Sequence, residues 1–287
     1  MNVIQAKLEA YLDSIARGEG SLANDIADEA GHSIQDALMR QFNPVERKFG
    51  LRMSNVGKPL CQLLAERDNM EREDNSFEHV FRMLTGDILE AIIVPVMKAA
   101  GINITREQGA YTLKVPLKSG KIHQINGTDD IEIDNESVWD IKSASDYSFK
   151  HKFVSYDALK AGDDFGYIPQ LYGYSLATGL RAGGWIVINK NSGQIKVLEA
   201  DQSNAKEEAE KAFNIIKQSV EAVYNVKPFE RSFEAIVETF YGKETGKKYL
   251  STSCEFCNYK RSCWPGLVHA PIEASKAKNP QWRYYVE

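Results

Sequence analysis

Two short segments hold groups suited to metal-assisted chemistry: Gly127-Thr128-Asp129-Asp130 and Val138-Trp139-Asp140-Ile141-Lys142. A hard divalent cation such as Mg²⁺ takes oxygen ligands, commonly a few carboxylates completed by water and a substrate phosphate. Held that way, it polarises a phosphoryl oxygen and lowers the cost of ionising water. The spacing of Asp140 and Lys142 matters, because alternate residues of a strand share a face. A carboxylate for the metal and an ammonium for the attacked phosphate then point the same way. Trp139 and Ile141 point into the core and anchor the strand, and the Ile141 carbonyl between the two charged groups is a further oxygen donor. An isolated D-x-K triplet is usually a surface ion pair. A glycine-led aspartate ten residues earlier turns this one into a candidate site.

Further groups fall in register with these two. Glu90 lies among Ile88, Leu89, Ile93, Val94 and Met97. A carboxylate in such surroundings is costly unless it is paired or bound to a metal. The alternative is that Glu90 lies on the polar edge of the helix, and His79 is a spare candidate in the same segment. Gln170 and Tyr174 are four residues apart, which places both on one face of a helix. The four cysteines are Cys61, standing alone, and Cys254, Cys257 and Cys263, nearly two hundred residues later. Four thiolates can hold one tetrahedral Zn²⁺ or an iron–sulfur cluster, and spacing does not choose between them.

The elements that must position these groups alternate between helix and strand. Residues 1–50 read as helical, 51–61 as loop, and about 75–100 as a long helix ending at Gly101, with Pro95 inside it. Strands follow in AYTLKVPL, KIHQIN, DIEID and SVWDIKSAS. Pro169 is expected at the first position of a helix that stops near Gly179. GGWIVINK and QIKVLEA form a hairpin, a second long helix covers roughly 204–224, and the remainder reads as irregular. The pattern predicts an α/β fold with mixed layers around one sheet.

G-x-x-D followed by D-x-K resembles motifs II and III of the PD-(D/E)XK nuclease superfamily, in particular its RecB-type exonuclease branch. Gln170-Leu171-Tyr172-Gly173-Tyr174 resembles the Q-x-x-x-Y motif of that branch. Phe81-x-x-x-x-Gly86-Asp87-Ile88-Leu89-Glu90 stands in the place of its first motif, where histidine is common; Glu90 stands there as in some phage-type relatives. Cys61 with the late C-x₂-C-x₅-C, preceded by Arg52-x-Ser54-x-x-Gly57-x-Pro59, resembles the iron–sulfur clasp of CRISPR-associated and viral RecB-like exonucleases.

The resemblance covers residues 52 to about 265. It implies a restriction-endonuclease-like central mixed sheet flanked by helices; residues 1–50, outside the resemblance, are expected as an N-terminal helical cap, and 51–287 as the nuclease domain. It implies Glu90, Asp130, Asp140 and the Ile141 carbonyl as ligands of Mg²⁺ or Mn²⁺. Family spacing selects Asp130 over Asp129. Lys142 would position or activate the attacking water, and Gln170 and Tyr174 would orient the scissile strand. Cys61, Cys254, Cys257 and Cys263 would carry a 4Fe–4S cluster of structural role. The implied activity is exonucleolytic hydrolysis of single-stranded DNA or duplex ends in recombination, repair or phage DNA processing. Alternatives are a CRISPR-adaptation trimming nuclease and a non-catalytic DNA-end-binding subunit. No G-x-x-x-x-G-K-[ST] is present, so any helicase motor would be a partner chain.

The formal net charge of −5 argues against a general polyanion-coating protein. Local basic patches remain candidates for phosphate contacts: Arg47-Lys48 with Arg52 and Lys58, Lys150 with Lys152, Lys247-Lys248, and Lys260-Arg261. No stretch is apolar and long enough to span a bilayer, and the N-terminus lacks a signal-peptide core. A cytoplasmic protein is expected, in the host cytoplasm if phage-encoded. In that compartment paired cysteines are less natural than a metal site.

Overall fold

The computed structural model describes residues 2–43, 45, 48–273 and 275–286, so Arg47 of the first basic patch lies outside the described residues. In chain order the elements begin with α1 (Val3–Ala16), α2 (Asn24–Phe42), α3 (Leu60–Arg67), α4 (Phe77–Ala99), β1 (Ile104–Glu107), β2 (Ala110–Pro116), β3 (Ile122–Thr128) and β4 (Ile131–Ile133). They continue with β5 (Ser137–Ala144), α5 (Asp146–His151), α6 (Tyr156–Ala161), α7 (Tyr167–Thr178), β6 (Arg181–Asn189), β7 (Ile195–Glu199) and α8 (Ala205–Tyr224). The last are β8 (Ile236–Phe240), β9 (Lys243–Tyr249), α9 (Thr252–Glu255), α10 (Lys260–Cys263), β10 (Val268–Pro271) and β11 (Trp282–Val286). Among the described residues no helix is long and apolar enough to cross a membrane.

The chain divides into two compact units, Met1–Gly57 with Ser76–Val220, and Lys58–Asn75 with Glu221–Glu287. Helices α1 and α2, expected as a separate cap, group with the first unit. This unit contains a mixed five-stranded sheet ordered β1-β4-β5-β6-β7 and a separate two-stranded ribbon of β2 and β3. Its sheet pairs are antiparallel except β5 with β6. A parallel pair needs a long crossover, and α5, α6 and α7 supply it.

Strand β5 is therefore central, and its two faces have different neighbours. Trp139 and Ile141 join Ile131, Ile133, Ile186 and Ile188 of the sheet in a core closed by Ile93, Val94 and Met97 of α4 and Leu8 of α1. Asp140 and Lys142 take the other face. Helix α4 starts at an N-cap, Ser76, whose side chain accepts from the His79 amide. It ends beside Gly101, which takes the expected left-handed conformation at φ 72°.

In the second unit β10-β11-β9-β8 form an antiparallel sheet. Its core gathers Leu250, Cys254, Trp264 and Leu267, with Tyr284 and Val286 packed against them.

The structure corrects the sequence reading in four places. Three sheets are present among the described residues, not one. Residues after 225, expected to be irregular, carry four strands and two short helices. The segment read as loop over 51–61 already enters α3 at Leu60. Pro169 is the third helical residue of α7, not the first. The first-turn amides have no partner within the helix, so proline costs no hydrogen bond at either position.

Candidate active site

Four elements of the first unit contribute to one polar cluster. Lys142 Nζ donates to Asp140 Oδ1 at 2.6 Å. Asp140 is 2% exposed, and its second oxygen, Oδ2, has no hydrogen-bond partner. Asp130 lies in the bend between β3 and β4, where its Oδ2 accepts from the Ile141 amide at 2.6 Å. Glu90 reaches in from α4 and accepts from Gln108 Nε2 at 2.6 Å. Asp129, adjacent to Asp130, is buried on a different contact: its Oδ1 accepts from the Gly109 amide at 2.8 Å. The second oxygen of Asp129, like that of Asp140, is buried without a hydrogen-bond partner.

The charges in this cluster are strained by proximity. The Glu90 carboxyl is pushed up to about 8, first by burial and then by Asp130 and Asp140, with Lys142 opposing. Asp140 is pushed up to about 7, first by burial and also by Asp130, again against Lys142. Asp130 is raised by burial, with Lys142 and the Ile141 amide pulling it back. Burial pulls the Lys142 ammonium down, but Asp140 and Asp130 more than offset this and hold it above the usual lysine range. Lys142 is thus a fixed cation at neutral pH. Fully ionised, three carboxylates against one lysine leave two negative charges, which one divalent cation would neutralise.

The donor chemistry fits Mg²⁺ or Mn²⁺: hard oxygens, one of them buried and unpartnered. Among the described residues no three His, Cys, Asp or Glu side chains converge closely enough to hold a metal as they stand. Asp130 is turned to the Ile141 amide and Asp140 to Lys142, so ligation requires side-chain rotation.

Gln170 and Tyr174 meet as their spacing predicts, the glutamine hydrogen-bonding the phenol. Tyr174 is 3% exposed and donates to the Thr128 carbonyl at 2.6 Å. It therefore braces the chain two residues before Asp130. The same contact explains the glycine that opens G-x-x-D. A Cβ on Gly127 would lie 2.9 Å from the Tyr174 hydroxyl and 2.4 Å from Met53 Cβ. Tyr167 escaped the sequence reading. Its ring centroid lies 5.3 Å from Lys142 Nζ, a cation–π contact. A signal was present, because Tyr167, Gln170 and Tyr174 follow the i, i+3, i+7 spacing of one helix face.

The raised Glu90 carboxyl makes a signed stability prediction. Between its unfolded value near 4.5 and its folded value of about 8, the folded state holds a proton that the unfolded chain has released. Stability conferred by this group is therefore lost as pH rises through that window. In the presence of a chelator, Glu90→Gln should melt with the native protein at pH 5. It should melt roughly 4 °C or more above it at pH 9, on the order of 2 kcal/mol. A difference in melting temperature that does not change with pH would show that Glu90 is not held in an unfavourable electrostatic position.

The four cysteines are free thiols, and all lie in the second unit. Cys61 in α3 and Cys254 in α9 are buried. The segment carrying Cys61 is fastened to the later residues by polar contacts. Ser232 Oγ accepts from the Cys61 amide at 3.1 Å, the Glu73 amide donates to Asn258 O at 2.8 Å, and Ser262 Oγ donates to Glu71 O at 2.6 Å. Glu73 also pairs with Lys260 and Arg261. That last basic patch is thereby committed to an internal ion pair. The thiols feel one another: Cys257 is pushed up to about 11, first by burial, with Cys61, Cys254 and Cys263 adding to it. Their sulfurs are not set at ligating distances as they stand. Soft thiolate donors nevertheless suit iron or zinc, and ligation of either metal would require their deprotonation.

No family model matches the chain, and no curated protein matches it. Among solved structures the chain is similar to the crystal structure of SSO0001, over 82% of this chain and 95% of that chain, at 14% sequence identity and a TM-score of 0.46.

Proposed function

We propose that this chain is a divalent-metal-dependent deoxyribonuclease of the PD-(D/E)XK type, with a restriction-endonuclease-like first unit and an iron–sulfur clasp in the second. One observation carries the reading. Asp140 is a buried carboxylate with an unpartnered oxygen, paired to Lys142 two residues on; Asp130 raises its pKa, and both aspartates raise that of Glu90. Glu90, Asp130, Asp140 and the Ile141 carbonyl would hold Mg²⁺ or Mn²⁺. When bound, such an ion polarises the phosphodiester and eases ionisation of the attacking water. Lys142, beside Asp140, would position or activate the attacking water and stabilise the charge that develops on the phosphate. Tyr174 braces the chain before Asp130, and Gln170 and Tyr174 would orient the scissile strand. Cys61, Cys254, Cys257 and Cys263 would bind the 4Fe–4S cluster, whose chemistry here is structural.

The substrate follows from the resemblance: single-stranded DNA or a duplex end, cut as an exonuclease in recombination, repair or phage DNA processing. A second reading, a DNA-end-binding subunit without turnover, is favoured by the orientation of Asp130 away from a common metal point. End-labelled single-stranded and blunt duplex DNA incubated with Mn²⁺ or Mg²⁺ separates the two. Progressive shortening that a chelator abolishes is the expected result. Binding without cleavage under either metal would select the subunit, and neither binding nor cleavage would sink both.

A further inference from the structure

Next to Lys142 lies a row of aromatic rings that the hydrolytic chemistry does not use. Phe153, Tyr167 and Phe165 stack in sequence. The Phe153 and Tyr167 centroids are 5.8 Å apart at 29°, and the Tyr167 and Phe165 centroids are 5.6 Å apart at 20°. Exposure rises along the row. Phe153 is 2% exposed, Tyr167 is half-buried, and Phe165 is 51% exposed. Core packing accounts for Phe153 and for one face of Tyr167, but not for a phenyl ring left half in water at the outer end.

Lys152 belongs with the outer rings. Its ammonium lies 5.1 Å from the Phe165 centroid and 5.8 Å from that of Tyr167. The Lys142 ammonium approaches the same middle ring, 5.3 Å from the Tyr167 centroid. The middle ring of the row thus adjoins the proposed reaction centre, and the outer ring reaches the surface beside Lys152.

The loop that presents Phe165 is held firmly. Asp163 accepts from the amides of Tyr167 at 2.8 Å and Ile168 at 2.9 Å, which directs its charge at the start of α7. Gly166 has φ 74°, and a Cβ there would sit 2.3 Å from the Gly57 backbone. The ring is therefore placed before any ligand arrives, so little ordering cost remains on binding.

We infer that Phe165, backed by Tyr167 and flanked by Lys152, is a stacking platform for an unpaired base of the DNA strand whose phosphate is presented to Lys142. Exposed rings beside lysines suit single strands, because every unpaired base offers a face to stack and each phosphate a charge to neutralise. In a duplex the same faces are already stacked on neighbouring bases. The platform rests on the nuclease reading and narrows it: the strand enters unpaired.

The test is equilibrium binding, with a chelator present so that nothing is cut, of a short single-stranded DNA carrying 2-aminopurine and of a blunt duplex of the same sequence. Native protein should alter the aminopurine emission on binding. Phe165→Ala should lose that change and weaken single-strand binding by about ten-fold, while Phe165→Trp keeps both. Duplex binding should change less than about two-fold, because it does not use the ring. Equal losses on both DNAs, or no loss on either, would overturn the platform while leaving the nuclease intact. Native protein that binds neither DNA and cuts neither would remove the platform and the nuclease together.

Discussion

Lys142→Ala is expected to abolish metal-dependent DNA cleavage while tightening the site's grip on Mn²⁺. The two effects have one electrostatic cause. The lysine is the internal counter-ion of Asp140, at 2.6 Å, and helps hold down the pKa values of Asp130 and Glu90 as well. Without it the carboxylates face one another alone, and an external cation gains what the ammonium gave up. The phosphate, however, loses a placed donor aimed at the charge that grows in the transition state. Removing one such donor costs about 10²–10³ in rate. Single-strand affinity measured without metal should stay within about three-fold, because a single phosphate contact adds little in physiological salt. Single-turnover cleavage and Mn²⁺ titration on the same preparation check both signs. Unchanged cleavage would reduce Asp140–Lys142 to a structural ion pair.

Cys257→Ser should bleach the protein and loosen its second unit. Anaerobically purified native protein is expected to be brown, with broad visible absorption and iron in cluster amounts. The serine variant should lose most of both. The clasp joins Cys61 to cysteines nearly two hundred residues later, across the whole excursion through residues 76–220. Closing so long a loop with one strong cross-link is worth up to roughly 5 kcal/mol in the chain-entropy account. Polar contacts of Glu73, Ser262 and Ser232 already fasten the same segment, so part of that restraint survives. A fall in melting temperature of about 10 °C is expected, with faster proteolysis of the second unit. A colourless native protein with one zinc would keep the clasp and replace the metal. Four thiols that all react in folded, metal-free, fully stable protein would remove the clasp altogether.

Much of the site was legible because it is written at short range. Strand alternation alone places Asp140 and Lys142 on one face and Trp139 and Ile141 on the other, and the core contains the latter two. Helical spacing alone brings Gln170 to Tyr174. The boundaries of α4 and α8 follow from an N-cap serine, a trailing glycine and an apolar stripe. These patterns depend on neighbours within about seven residues, which is the range over which local geometry acts.

Tertiary structure decided what depends on distant partners. β9 reads Lys-Glu-Thr-Gly-Lys-Lys-Tyr, with no apolar alternation to announce a strand. It forms because β8 and β11 offer it ladder partners. The Tyr174 hydroxyl donates to the Thr128 carbonyl, a partner that no helical spacing reveals. Glu90 had three plausible surroundings in the sequence, and only packing put it in the field of Asp130 and Asp140. The sequence by itself determined which residue types stand at which spacing and which face each one takes on its own element. Folding decided which of those faces meet, because contact between elements is set by long-range packing and pairing rather than by local propensity.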